Sequence, residues 1–253
     1  MRNKIIGFVV FLFWQMGASA QDTLKNTSIL LVPFPPEYYL SDAERDIMAQ
    51  TKRSPEEFRN YFRKTLDLKI QGELEVHGPC ISLLQDTTSR GRKLLEMFYG
   101  KAGYSYAYPV GGRNTSKSEI KKQKKKSELH PDAQTAPQTI TTRGDSKFMQ
   151  VEIRDTSFLN YLFQLYQSDY IVSINQFEIK TNYNSCIDIA NKIYRRELLI
   201  HYSILKANGK QVRGNFCMEF FPSSTNSDRE IVERTFPGIA ASIQKEMAAE
   251  VGR

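Results

Sequence analysis

Glu178, within NQFEIKTN, belongs to the largely apolar strand that begins at DYIVSI, and a carboxylate in such a strand needs a partner. Lys180 lies two residues on and shares its strand face. Asn175, Gln176 and Asn182 flank the pair and need hydrogen-bond partners wherever they are buried. This set admits two chemistries. One is a satisfied ion pair and polar network at a sheet end. The other is a small pocket near Glu178 and Asn182, of the kind a hydrolase or transferase uses. Elsewhere chemistry is sparse. His77 and Cys80 form an H-x-x-C pair with no further ligands close by, and neither His130 nor His201 belongs to an H-E-x-x-H motif. G-x-S-x-G, P-loop and G-x-G-x-x-G patterns are absent. No catalytic residue, metal ligand or cofactor is therefore assigned, and an enzyme is the less favoured class.

The 3 cysteines are Cys80, Cys186 and Cys217. Cys186 follows the apolar strand and Cys217 ends a hairpin, so these two are the disulfide to test, with three unpaired thiols as the alternative. Basic chemistry is concentrated in one place. Arg113 to Arg143 carries eight basic residues against Glu119, Glu128 and Asp132, a net +5 out of +7 for the whole chain. Arg2 and Lys4 supply the other two, which leaves the remainder near neutral and argues against a DNA-binding face. Lys121, Lys122, Lys124, Lys125 and Lys126 suit an anionic glycan or lipid, or an acidic protein. No aromatic residue is interleaved for base stacking, so nucleic acid is not the expected partner.

These groups need elements to hold them. Residues 1–20 read as a signal peptide: a basic start, the apolar run Ile5 to Trp14, and Ala18-Ser19-Ala20 for cleavage. An uncleaved anchor is the alternative; no later run is long enough to span a bilayer. Residues 21–110 and 145–253 are expected to form one domain, interrupted by a flexible lysine-rich insertion at 111–144. The fold class is α/β, with α+β as the alternative: a single mixed sheet flanked by helices.

Within that domain, Ser28 to Phe34 reads as a buried strand running into the proline-rich PFPPEYY segment. Capping boxes are expected at Ser41/Glu44 and Ser54/Glu57, the latter followed by an apolar helix face at Phe58, Phe62, Leu66 and Ile70. Gly72 to His77 is assigned to a strand, Ile81 to Gly100 mainly to a helix, and Lys147 to Arg154 to a strand. Leu159, Leu162, Phe163 and Tyr166 mark another helix. The strand after it should be central, because both its faces are apolar at the start. Alternation places Ile171, Ser173, Asn175, Phe177 and Ile179 on one face and Val172, Ile174, Gln176 and Glu178 on the other. Cys186 to Tyr194 has helix-like spacing, and Ala207-Asn208-Gly209-Lys210 marks a tight hairpin. Two helices should close the chain, from Ser227 or Asp228 and from Pro237.

At PFPPEYYLSDAERDI and SDYIVSINQFEIKTNYNSCIDIANKIYRRELLIHYSIL the chain resembles a family of exported Bacteroidota envelope proteins of unassigned function. The element order is similar to the α/β domain of the curli-secretion pore subunit, of penicillin-binding-protein activators and of the Tol amino-terminal domain. The resemblance implies an exported protein, periplasmic, outer-membrane associated or secreted. The function expected is a non-enzymatic module that binds another envelope component, and the residues themselves mark Phe34, Tyr38 and Tyr39 as the contacts if PFPPEYY is a binding lip and not a loop packed on the domain. A self-assembling structural or secretion subunit is a further alternative. The oligomeric state is left open.

Overall fold

The computed structural model describes residues 27–51, 53–110 and 147–252. It is an α/β structure built on one mixed sheet of six strands. Strand β1 (Ile29–Val32) lies between β3 (Cys80–Ser82) and β6 (Tyr170–Asp188), parallel to both. The short β2 (Tyr39–Ser41) pairs with β6 further along, again in parallel. β7 (Ile193–Lys206) and β8 (Gln211–Pro222) add antiparallel strands on the other side of β6. β6 is thus central, as its two apolar faces require.

One face is covered by two helices, α2 (Pro55–Leu74) and α5 (Asp228–Val251), over a core that includes Phe58, Phe62, Phe177, Phe221 and Phe236. The opposite face carries α3 (Ser89–Lys101), α4 (Thr156–Tyr166) and the two-stranded ribbon of β4 (Ala102–Ala107) and β5 (Phe148–Ile153). Ile29 and Leu31 point to the first face, Leu30 and Val32 to the second, so four residues of β1 serve both cores.

Local rules explain most boundaries. Ser54 and Glu57 form the expected capping box, with Pro55 at the first helical position. Asp155 and Ser227 cap α4 and α5 by accepting from the N–H groups of Phe158 and Glu230. Gly209, at φ 75°, closes the β7–β8 hairpin.

Five expectations need correction. α2 does not stop before Gly72: the buried i, i+4 series Phe58, Phe62, Leu66, Ile70, Leu74 continues one turn further, and Glu75–His77 is a 3-10 turn. The strand assigned to Gly72–His77 lies instead at Cys80–Ser82. Ser41 does not cap a helix; its Oγ accepts from Ala43 N–H, while Glu44 opens the short α1 (Glu44–Met48) and pairs with Arg59. Cys186 to Tyr194 is not helical but the end of a β-ribbon, with Asp188 closing the turn on Asn191. Pro237 does not start a second helix. It sits at an exposed position of the continuous α5, where its missing N–H withholds the helical donor from the C=O of Glu233, itself an exposed residue.

The fifth correction concerns β6. The pairing with β7 shifts register between Ile174 and Gln176. This bulge reverses the alternation, so Val172 and Ile174 share the α2/α5 core with Phe177 and Ile179. Asn175 occupies the extra position. The polar residues Ser173, Asn175, Gln176 and Glu178 are thereby gathered on the ribbon side.

Candidate functional site

The polar face of β6 continues onto β7 as Ser203 and His201. Above it lies β5, whose backbone edge away from β4 has no strand partner among the described residues. Side chains replace that partner: Met149 N–H donates to His201 Nδ1 at 2.8 Å, Val151 N–H to Ser203 Oγ at 3.4 Å, and Asn175 Nδ2 donates to Met149 C=O at 2.8 Å. Tyr106 adds a bond from its hydroxyl to Gln176 Oε1 at 3.0 Å. Because Nδ1 of His201 accepts, the neutral ring carries its proton on Nε2. Burial strongly disfavours the imidazolium and holds the pKa down at about 3. These polar residues anchor the ribbon to the sheet.

Glu178 sits at the end of this row, bridged to Lys180 at 2.7 Å, with His201 Nε2 at 3.9 Å from its other oxygen. Asn182 donates to Glu197 Oε1 at 3.0 Å. The two residues marked in the sequence as a pocket therefore share a sheet face, and each is engaged by a neighbour.

The PFPPEYY segment packs locally. Phe34 and Tyr39 are buried on either side of Phe177, at ring distances of 5.5 and 5.1 Å, so neither can form a binding lip. Tyr38 alone is half-buried, against Tyr104 at 4.7 Å. Cys186 and Cys217 do not form a disulfide. Cys217 points into the α5 core opposite Ile200, whereas Cys186 is exposed beyond the end of β8, and Cys80 is likewise a free thiol. Lys121, Lys122, Lys124, Lys125 and Lys126, like residues 1–20, lie outside the described residues. Among the described residues there is no helix long and apolar enough to cross a membrane, and no group of three or more His, Cys, Asp or Glu that could hold a metal ion.

Two features were not singled out in the sequence. The first is the end of the β6–β7 ribbon. β8 ends opposite Arg195, Ser223 still exchanges hydrogen bonds with Tyr194, and beyond Tyr194 the two strands project without a further strand partner among the described residues. Tyr183, Ile187 and Ile189 are 69%, 58% and 85% exposed there, with Tyr183 edge-on to Tyr194 at 5.2 Å. The second is the carboxyl end of β1. Arg63 of α2 donates from Nε to Phe34 C=O at 2.9 Å and from Nη2 to the Tyr99 hydroxyl at 2.6 Å, and that hydroxyl donates to Pro33 C=O at 2.8 Å.

Comparison with known proteins adds little to this geometry. No family model matches the chain, and no curated protein does. A solved structure does. It is the crystal structure of a protein described as a putative lipoprotein from Caulobacter crescentus CB15, similar at 13% identity with a TM-score of 0.24, over 39% of this chain and 84% of that one.

Proposed function

We propose that this protein is a non-enzymatic, exported module of the cell envelope that binds another envelope component through the end of the β6–β7 ribbon. The observation that carries the reading is the exposure of Tyr183, Ile187 and Ile189 on a two-stranded projection. Scattered exposed apolar side chains are ordinary on a protein surface, but three on one projecting ribbon end are what a partner contact requires. Backbone pairing at Cys186–Tyr194 and Asp188–Ile193, with Tyr183 edge-on to Tyr194, gives the ribbon end a defined backbone from which these side chains project. The lysines between Lys121 and Lys126 serve as a second, electrostatic contact to an anionic envelope glycan or lipid, or to an acidic protein.

The test places a photo-crosslinking residue at Ile189 in intact cells, with Leu68 on the exposed side of α2 as the control position. A defined envelope adduct from position 189 and none from 68 supports the reading. Equal labelling at both sites, or none at either, overturns it. Removing residues 111–144 separates the two contacts: an adduct at 189 that survives the deletion assigns the specific contact to the ribbon.

A further inference from the structure

The connections around β1 run over opposite faces of the sheet. From β1 the chain reaches its neighbour β3 by way of α2 on one face, and from β3 it passes back across β1 to β6 by way of α3, the ribbon and α4 on the second face. β1 is therefore the point at which a parallel α/β sheet changes winding direction. At such a point the flanking connections part beyond the carboxyl ends of the strands, and the crevice between them is where open α/β sheets take ligands.

At this place α2 and α3 meet across the strand end, Arg63 from one face and Tyr99 from the other, both holding the carbonyls of Pro33 and Phe34. The Arg63 guanidinium is fixed on one edge by Nε and Nη2. Its Nη1 group and the second Nη2 hydrogen carry no hydrogen bond from the described residues. Arg63 is half-buried, and no described carboxylate forms an ion pair with it. Asp67, one turn later on the same helix, is the natural i, i+4 partner, yet it forms no ion pair with Arg63: its Oδ2 is held by Ser82 Oγ at 2.7 Å and Gln85 Nε2 at 3.1 Å, and its buried Oδ1 has no hydrogen-bond partner among the described residues. Tyr104 closes the area against Tyr38 and Tyr99, with a buried hydroxyl that lacks a partner among the described residues.

We propose that the end of β1 is a binding site for a small ligand bearing an oxyanion, a carboxylate or a phosphate group, which the outer edge of Arg63 takes in a two-point contact beside the Tyr38–Tyr104 pair. A planar guanidinium already locked by its inner edge loses little freedom when the outer edge engages an oxyanion, which is why the fork suits this chemistry better than a lysine would. This proposal is independent of the ribbon contact.

The charged and titratable groups around the site are Glu37 and Tyr38 on a 3-10 turn at Pro36–Tyr38, Arg63 and Asp67 on α2, Cys80 on β3, Tyr99 on α3, and Tyr104 on β4. Burial raises the Asp67 carboxyl to about 6, so acidification from pH 7.5 to 5.5 removes a negative charge one helical turn from Arg63.

The experiment is an NMR titration of the full chain with sulfate and, separately, with benzoate, neither of which changes protonation across that range, at constant ionic strength. Saturable shifts centred on Arg63 Nε–H and Tyr99 are expected from at least one probe, tightening about two- to threefold at the lower pH as most of the opposing Asp67 charge is lost. Arg63→Gln should lose at least tenfold in affinity and Arg63→Lys several-fold, while Asp67→Asn should bind equally at both pH values. Response to sulfate alone identifies a phosphate-like group, and response to benzoate alone a carboxylate. Shifts that never saturate, that spread over exposed lysines, or that persist in a folded Arg63→Gln variant overturn the proposal.

Discussion

Gly214 shows how closely the ribbon is fitted to the sheet. A Cβ at this position would run into the Phe148 ring and the Gln211 side chain. Gly214→Ala should cost about 1–3 kcal/mol by overpacking, measured by denaturant unfolding, and Phe148→Leu in the same chain should recover part of the loss. Two buried titratable groups act on stability with opposite sign. His201 is neutral when folded down to about pH 3 but charges near 6.5 when unfolded, so it removes stability as pH falls through that window. Asp67, raised to about 6 when folded against 3.8 unfolded, adds stability as pH falls from 6 to 3.8. Their slopes, each about 1.4 kcal/mol per pH unit, oppose each other between roughly pH 4 and 6. Asp67→Asn should therefore steepen acid destabilisation in that range, and His201→Gln should flatten it, as pH-dependent unfolding free energies would show. The Glu178–Lys180 bridge was legible in the sequence because two residues on one strand face must meet. Arg63 was not: on a helix it reads as an ordinary polar position, and its meaning comes from Pro33, Phe34 and Tyr99, which only the fold brings to it.

The elements that were legible are those with local causes. The Ser54/Glu57 box, the Asn208-Gly209 turn and the α4 apolar stripe each depend on residues within a few positions of one another. Ser54→Ala should cost about 1 kcal/mol, a loss that thermal unfolding can register. What the sequence hid were features set by distant pairing. Strict alternation along β6 assigns Phe177 and Ile179 to the same face as Ile171, and only the pairing with β7 reveals that Asn175 is a bulge. Deleting Asn175 would restore the simple alternation and turn Phe177, Ile179 and Glu178 to the wrong sides. We expect that deletion to abolish folding, while Asn175→Ala, which removes only the bonds to Met149 and Ser203, leaves a folded but less stable chain by circular dichroism. The apparent helix at Cys186–Tyr194 failed for a similar reason. Ile189 and Ile193 have helical spacing, but the strands leading into them impose a ribbon.

At the scale of the molecule, mixed topology was legible from the order of elements, and the positions of β1 and β2 were not. β1 is the first strand among the described residues, and it is placed between a strand made soon after it and another made far later: Ile29 pairs with Cys80 and also with Tyr170. Whether the chain emerges from a ribosome or through a narrow pore, its beginning appears first and finds half of its seat missing. Nothing built before residue 170 can close the sheet on that side. A nascent chain of this design stays threadable for most of its length and commits to its final shape only when β6 arrives, so the arrival of one late strand serves as the clock for the whole assembly.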